Sequence, residues 1–381
     1  MAEQIVTKTY KYRIYPSQAQ TTRLDGVLDL LCELYNAGLQ ERRDAYRLEH
    51  KSIRYADQQN QLPSIKEIRP ELKEIHSQVL QDVLRRLDKA FQNFFRRVKE
   101  RKEKAGFPRF RSRHRYHTFT YAQSGFQVRD GKLHLSKIGK MKIKLHRPLE
   151  GKIKTLTIRR SCTGKWYACF SVEMEAQPLP GSERAVGIDV GLSHFATLST
   201  GKRIDNPRFF RVEEKRLARA QRRKSATVKG SALRQKHRKM VAQIHERIGI
   251  CRRNFAHEES RKLVNRFGLI ALEKLNIAGM MRNHHLAKSI SDAAWNQFVQ
   301  YVTYKAANAG RHVVLVDARN TSQQCSACGT LVPKDLSVRV HHCSCGLSLD
   351  RDYNAALNIL ALGLQCIGTK SVEAALFKGA E

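Results

Sequence analysis

The sequence has no long hydrophobic run. None of its apolar stretches approaches the roughly 20 residues that a membrane-spanning helix needs. The N-terminus, MAEQIVTKTYKYR, has no apolar signal segment, and the sequence shows no internal repeat or low-complexity tract. We therefore expect a cytoplasmic protein that does not bind membranes. Its 381 residues are enough for two or three domains.

Acidic residues are scarce relative to basic ones. The chain has 35 Asp and Glu against 70 Lys and Arg, a formal net charge of +35. The excess is clustered, since residues 85–115 hold 13 basic and 3 acidic side chains and residues 208–253 hold 16 and 3. A ribosomal or merely basic surface protein would also be positive. The clustering favours nucleic-acid binding, with affinity gained from counterion release.

The cysteines do not form the pattern of a disulfide framework. Five of the nine are scattered, and four are grouped in CSAC at 325–328 and CSC at 343–345. Two thiolate pairs on tight turns can surround one tetrahedral zinc ion, which would then be structural. The predicted ligands are Cys325, Cys328, Cys343 and Cys345. His341 or His342 could replace one of them.

The first half of the chain reads as a β-sheet interrupted by helices. Residues 4–15 and 117–177 have strand patterns, and residues 17–47 and 71–105 have helical ones, with Phe94 and Phe95 on the apolar face of the second helix. We therefore expect a small antiparallel sheet or barrel with the helices inserted between its strands. PLPGSE at 178–183 is the predicted linker to the second half.

Arginines alternate with aromatic residues in KAGFPRFRSRHRYHTFTY at 104–121. Such a segment could simply be a solvated basic face, but cations between aromatic rings suit a nucleic-acid strand with stacked bases. Gln78 and Gln81 are amides of the kind that read adenine edges, or are ordinary polar helix surface. The candidate nucleic-acid contacts are Gln78, Gln81, Arg109, Arg111, Arg113 and Tyr121.

The second half has an α/β pattern. GIDVG and FATLS read as adjacent strands, and residues 210–266 as a helical hairpin broken near Gly230. A strand at 268–275, a helix at 289–309 opened by a capping-box-like S-I-S-D, a strand at 312–318 and a helix from about Asp352 follow.

Three acidic residues occupy unusual places in this pattern. Asp189 and Glu273 each end an apolar strand, where an unpaired carboxylate is costly. Asp350 and Asp352 compete for a third place. Asp352 alone could be a plain helix cap, and Glu273 alone could be an edge charge or an ion-pair partner. Together, two strand carboxylates and one at a helix start could hold two divalent ions about 4 Å apart for attack on a phosphodiester.

The motifs GIDVG, LEKL, SISDAAW, NTSQQCSACG and CGLSLDRDYNAALNI, in this order, resemble the TnpB (OrfB) proteins of bacterial insertion sequences. These are compact relatives of the type V CRISPR effector nucleases. The opening KTYKYRIYPSQAQ and YNAGLQERR also resemble the N-terminus of that family. The resemblance thus covers nearly the whole chain.

The resemblance implies a multidomain α/β protein with a RuvC-like nuclease of RNase H fold, an inserted zinc ribbon, and a wedge β-barrel interrupted by a helical recognition domain. The implied ranges are 1–15 and 117–180 for the wedge, 16–116 for recognition, 181–320 and 350–368 for the nuclease, 321–349 for the ribbon and 369–381 for a flexible tail. It also implies a catalytic triad of Asp189, Glu273 and Asp352, which holds two Mg²⁺ ions, and so chooses Asp352 over Asp350.

The implied activity is RNA-guided cleavage of double-stranded DNA beside a short flanking motif. The guide RNA would derive from the end of the transposable element, and the protein is expected to be a monomer with its RNA. The alternative is a catalytically silent, guide-dependent DNA-binding regulator of transposition or transcription, although the intact triad argues against it. A guide-free nuclease would not need so large a region at 16–177.

Overall fold

The computed structural model describes residues 5–100, 105–317, 319–335 and 338–377. The chain divides into two compact units, one formed by Ile5–Glu175 and the other by the chain from Ala176 onward. No helix in the described ranges is long and apolar enough to cross a membrane.

The first unit is built on a seven-stranded antiparallel sheet. Its strands are β1 (Ile5–Tyr15), β2 (Thr118–Tyr121), β3 (Phe126–Arg129), β4 (Lys132–Leu135), β5 (Gly139–Lys144), β6 (Lys152–Arg160) and β7 (Trp166–Glu175), in the order β2-β6-β7-β1-β5-β4-β3. The two edge strands, β2 and β3, are separated in sequence only by residues 122–125. The sheet therefore curls into a nearly closed barrel, and the rings of Tyr121 and Phe126 lie 6.2 Å apart.

Helices are inserted between β1 and β2, as the sequence predicts, but the described residues form four α-helices where two were predicted. They are α1 (Gln18–Glu49), α2 (Tyr55–Asn60), α3 (Leu62–Ile68) and α4 (Ser77–Lys99). Helix α1 begins with a capping box, in which the Gln20 amide donates to Ser17 Oγ at 3.2 Å and the Ser17 amide to Gln20 Oε1 at 3.0 Å. Helix α4 starts at Ser77, later than the predicted residue 71. Phe95 is also not on its buried face but 60% exposed, because α4 continues past the core.

The second unit contains a five-stranded mixed sheet and most of the remaining helices. Its elements are β8 (Ala185–Val190), β9 (His194–Leu198), β10 (Arg203–Asp205), α5 (Phe209–Ser225), α6 (Ala232–Arg266), β11 (Leu269–Glu273), α7 (Ile277–Met280), α8 (His284–Ala293), α9 (Trp295–Asn308), β12 (His312–Val316), β13 (Val340–His342), β14 (Ser348–Asp350) and α10 (Arg351–Phe377). The sheet order is β10-β9-β8-β11-β12, with β8, β11 and β12 parallel and β9 and β10 antiparallel.

Helices cover both faces of this sheet. Ile188 and Leu272 point to the face that packs against α6 and α9, and Ala271 and Val316 pack against Ile359 of α10 on the other. Helix α10 lies directly on the strands, because a Cβ added to Gly187 would be 2.1 Å from the Ala356 carbonyl oxygen. This close contact fixes the position of α10 on β8.

Two helical regions of the second unit differ from the sequence-based expectation. The helix predicted at 289–309 is two helices, because Ala294 has a left-handed φ of 54° that ends α8 and starts α9. Asp292 therefore caps no helix start of its own. It accepts from the Phe210 amide at 3.0 Å and from Arg252 at 2.6 Å. Helix α10 runs to Phe377, and the last four residues of the predicted tail, 378–381, lie outside the described residues.

Candidate active site and metal centre

Asp189 and Glu273 lie side by side on neighbouring parallel strands. The register pairs Leu272 with Ile188, so the next residue of each strand is one of the two acids. Side chains alternate along a strand, and Gly187 and Ala271, two residues earlier, both contact α10. Both carboxylates therefore point to the face that α10 covers.

Helix α10 brings Asp352 to the same place. Ala356 of α10 lies against Gly187 of β8. Asp352 lies one helical turn before Ala356, and Asp189 lies two strand residues after Gly187. One helical turn and two strand residues span similar lengths, about 5.4 and 6.6 Å. A Cβ at Gly191, just beyond Asp189, would be 4.0 Å from Asp352 Oδ2. The three predicted acids thus meet at one edge of the sheet.

Burial and mutual repulsion at this edge disfavour the charged forms of the clustered carboxylates when no cation is bound. Burial, and then the carboxylates of Glu273 and Asp352, raise the pKa of Asp189 well above its ordinary value, although Arg351 partly opposes this. Burial also raises the pKa of Glu273, which Thr321 counteracts by donating its hydroxyl to Glu273 Oε1 at 2.5 Å. A bound cation would remove much of this repulsion.

Asp350 and Asp352 have different partners. One oxygen of Asp350 accepts from the backbone amides of Asp352 and Tyr353, each at 3.1 Å, which caps α10. The other lies 3.0 Å from Arg203. The Asp352 carboxylate faces Asp189 instead, with Arg351 Nε 3.8 Å away. This division favours Asp350 as the helix cap and Asp352 as the third member of the acidic cluster.

The four grouped cysteines form a compact cluster that could hold one metal ion. Their sulfur atoms all lie within 4.8 Å of one another, with Cys325 Sγ 3.6 Å from Cys345 Sγ and Cys328 Sγ 3.5 Å from Cys343 Sγ. Tetrahedral zinc with bonds of about 2.3 Å would separate sulfurs by about 3.8 Å, whereas a disulfide bond is about 2.05 Å long. The spacing suggests a zinc site.

Local turns prepare the cluster for a metal. Gly329 and Gly346, in left-handed conformations, close the two turns by donating to the carbonyls of Cys325 and Cys343. The Thr330 side chain, with its backbone, lowers the pKa of Cys328 to about 6. His341, an alternative ligand by sequence, lies beside Lys334 and is not part of the cluster.

No other set of three or more histidine, cysteine or acidic side chains in the described ranges is arranged to share one metal ion. Asp189, Glu273 and Asp352 therefore do not converge on a single position as the cysteines do.

Buried amides of α10 connect the cysteine cluster to the acidic site. Asn354 accepts from the Ser326 amide at 3.0 Å and donates to the Gln324 carbonyl at 2.8 Å. Asn358 donates to the Thr321 carbonyl at 2.8 Å. Thr321, Asn354 and Asn358 were not predicted from the sequence. Two asparagines four positions apart within the apolar run NAALNIL were the available signal.

The predicted nucleic-acid contacts of the first unit have mixed outcomes. Tyr121 is a correction, because its side chain is 1% exposed in the barrel core and its hydroxyl donates to the Ser136 carbonyl. Gln78 accepts from the amides of Gln123 and Ser124 and so holds the β2–β3 turn. Arg113 pairs with Glu33.

The other three candidates remain near the surface. Arg109 and Arg111 are exposed, and Gln81 is half-buried. The Arg111 guanidinium lies 5.5 Å from the Tyr35 ring. A role in nucleic-acid binding stays a prediction for these residues.

Comparisons with known proteins agree on one family. Residues 169–284 match the OrfB family of IS605, described as "Probable transposase". Residues 295–359 match a "Cas12f1-like, TNB domain". Residues 1–51 match a "Helix-turn-helix domain", although residues 5–49 of the structure hold strand β1 and the single helix α1.

Two relatives carry the name "Putative RNA-guided DNA endonuclease". The one from Streptomyces pristinaespiralis is 38% identical over 95% of this chain and 90% of its own length. The one from Escherichia coli is 29% identical over 93% and 92%. A Cas12f1 chain, solved with a single guide RNA and target DNA, shares the fold, with a TM-score of 0.56 and 15% identity over 93% of this chain and 98% of its own.

Proposed function

This chain belongs to the TnpB (OrfB) family of RNA-guided DNA endonucleases, and we propose that it cuts double-stranded DNA at the site formed by Asp189, Glu273 and Asp352. The observation that carries the proposal is the meeting of these three carboxylates at one edge of the sheet, where burial and then the neighbouring carboxylates raise the pKa of Asp189. The mixed sheet between α10 and α6 supports assignment of the second unit as a RuvC-like nuclease of RNase H fold.

The residues present suit two Mg²⁺ ions, which prefer oxygen ligands and leave positions for water and substrate phosphate. When bound, such ions supply an activated water and stabilise the leaving oxygen of the cleaved phosphodiester. The chain contributes the geometry, since the contact at Gly187 fixes Asp352 against Asp189 and Thr321 orients Glu273. The zinc cluster is structural in this proposal, because four thiolates leave no open position.

The sequence of the target is read by RNA in this proposal. Pairing between guide and target strand selects the site, and the protein recognises a short flanking motif. A net charge of +35 suits a protein that holds an RNA, a heteroduplex and a displaced strand. The first unit, with its barrel and inserted helices, would serve as wedge and recognition region.

The test is cleavage of a matched plasmid by the purified protein with its copurified RNA and Mg²⁺. Asp189→Asn, Glu273→Gln and Asp352→Asn should each reduce cleavage to background while RNA binding is unchanged, because each removes one charged ligand and almost no volume. Asp205→Asn, on the exposed end of β10, is the matched control and should cut normally.

Two outcomes would contradict the proposal. Cleavage that survives in any of the three variants would remove that residue from the site. A wild-type protein that binds its target with RNA but leaves it uncut would be the regulator that the sequence left as the alternative.

A further inference from the structure

A groove in the first unit combines exposed aromatic rings with a positively charged rim. It lies between the end of α1, the following residues 51–54, the end of α4 and residues 107–110, and encloses about 1020 Å³. Pockets for drug-sized ligands have volumes of about 300 to 1,000 Å³, so the groove is as large as the largest of these pockets. We call it the aromatic groove.

The aromatic groove presents rings that the protein core does not use. Tyr46 is 63% exposed, Phe95 60% and Phe110 48%. Phe107 packs edge-on against Phe94, with ring centroids 5.3 Å apart, which supports the cluster from below. Exposed aromatic surface on this scale usually marks a binding site.

The charge of the aromatic groove selects its occupant. Among the described residues, the one acidic residue that lines the groove is Asp88, which is already paired with Arg42 at 3.0 Å. The rim carries exposed cations at Arg43, Arg47, Lys51, Arg54 and Arg109. A second copy of this chain, itself strongly positive, would meet these charges with repulsion. A polyanion would be attracted.

We propose that the aromatic groove binds an unpaired segment of the guide RNA, with bases stacked on Tyr46, Phe95 and Phe110 and phosphates along the cationic rim. Single-stranded nucleic acids are bound in this way, by aromatic platforms in a basic groove. A duplex would not use the rings, because its base faces are already stacked on each other. Guide RNA is favoured over target DNA because, in the proposed function, the protein carries its guide RNA whether or not a target is bound. The RNA would therefore shield the exposed rings from solvent in both states.

This inference rests on the proposed RNA-guided function and is tested with the full-length protein. The measurement is the affinity for an unpaired A12 RNA and for an RNA hairpin of equal charge, over a range of salt concentrations. Tyr46→Ala and Phe95→Ala should each weaken A12 binding about ten-fold, since one stacked base contributes roughly 5- to 150-fold. Hairpin binding should not change. Tyr46→Phe, which keeps the ring, should bind as wild type does.

The salt dependence separates stacking from charge. The ring variants should keep the wild-type slope of log affinity against log salt, whereas Arg47→Gln should reduce that slope by about one phosphate contact. Ile68→Ala removes another exposed apolar side chain of the same unit, 79% exposed and outside the aromatic groove, and should have no effect.

Several results would overturn the inference. Equal losses for hairpin and A12, or no loss for either, would exclude base stacking. A loss for unpaired DNA but not for RNA would assign the groove to a DNA strand, and a concentration-dependent dimer abolished by Tyr46→Ala would assign it to a second copy. If the ring variants bind A12 normally while guided cleavage is intact, this inference fails and the proposed function stands. If no RNA accompanies the protein, the proposed function itself fails.

Discussion

Replacement of Gly187 by alanine is expected to disable the nuclease without touching a carboxylate. The new Cβ would lie 2.1 Å from the Ala356 carbonyl oxygen and 2.5 Å from the Leu360 amide nitrogen, both backbone atoms of α10. Helix α10 would have to move by about 1 Å to restore normal contacts, and a displacement of that size at a catalytic site costs about 100-fold in rate. Overpacking also destabilises by about 1–3 kcal/mol.

The assay is single-turnover cleavage of matched DNA, combined with thermal unfolding. Gly187→Ala should lower the cleavage rate about 100-fold, and Tm by about 2 to 12 °C for a unit of this size. Gly249→Ala is the matched control, because it lies in α6 with no atom within 4 Å of the added Cβ. It should cut normally and gain about 0.5–1 kcal/mol of stability. If Gly187→Ala cuts at the wild-type rate, the close contact does not position Asp352.

Three further predictions concern the surroundings of the site. Thr321→Val should slow cleavage about 10-fold or more, because a hydrogen bond to a charged group contributes about 1.5–3 kcal/mol. Thr321→Ser keeps the hydroxyl and should cut at the wild-type rate. Equal rates for the two variants would refute the positioning role. Asp350→Ala should lower the free energy of unfolding by about 1 kcal/mol through loss of the cap yet retain cleavage, whereas Asp352→Ala should abolish it; the reverse would exchange their roles. Cys328→Ser should lose zinc and lower Tm, which metal analysis and thermal unfolding measure; a full zinc content would contradict the four-cysteine site.

The sequence predicted helices and strands correctly where the spacing of apolar residues and the position of turn-forming residues indicate the same element. Helix α1 begins at Gln18, next to the predicted start at residue 17, and the break between α5 and α6 lies near Gly230, as predicted. The break at Ala294 was not predictable, because alanine favours helix and its left-handed conformation is imposed by tertiary packing.

Tyr121 shows how the closed barrel changes the meaning of a pattern. Alternating aromatic and basic residues suggested a surface that stacks bases. Phe119 and Tyr121 are two residues apart, however, so they share one face of β2, and that face is the barrel interior. The sequence pattern does not show that the sheet curls into a barrel, because the curling results from pairing between strands that are distant in sequence.

The members of the acidic cluster could be predicted from the sequence, but the residues that hold the cluster in place could not. Asp189 and Glu273 stand out because each ends an apolar strand. Thr321, Asn354 and Asn358 act through contacts between segments 28 to 48 residues apart, which the sequence does not display. Such partners can be identified only in the structure, where residues 321–326 lie along α10.

The central claim is that an RNA directs this chain to cut DNA. The most direct test sequences the RNA that copurifies with the protein, replaces its guide segment, and supplies two plasmids, one matching the original guide and one matching the replacement. We expect cleavage in Mg²⁺ to move to the second plasmid when the guide is replaced, and we expect Asp189→Asn to cut neither plasmid. Cleavage that ignores the guide, or that occurs without RNA, would contradict the central claim.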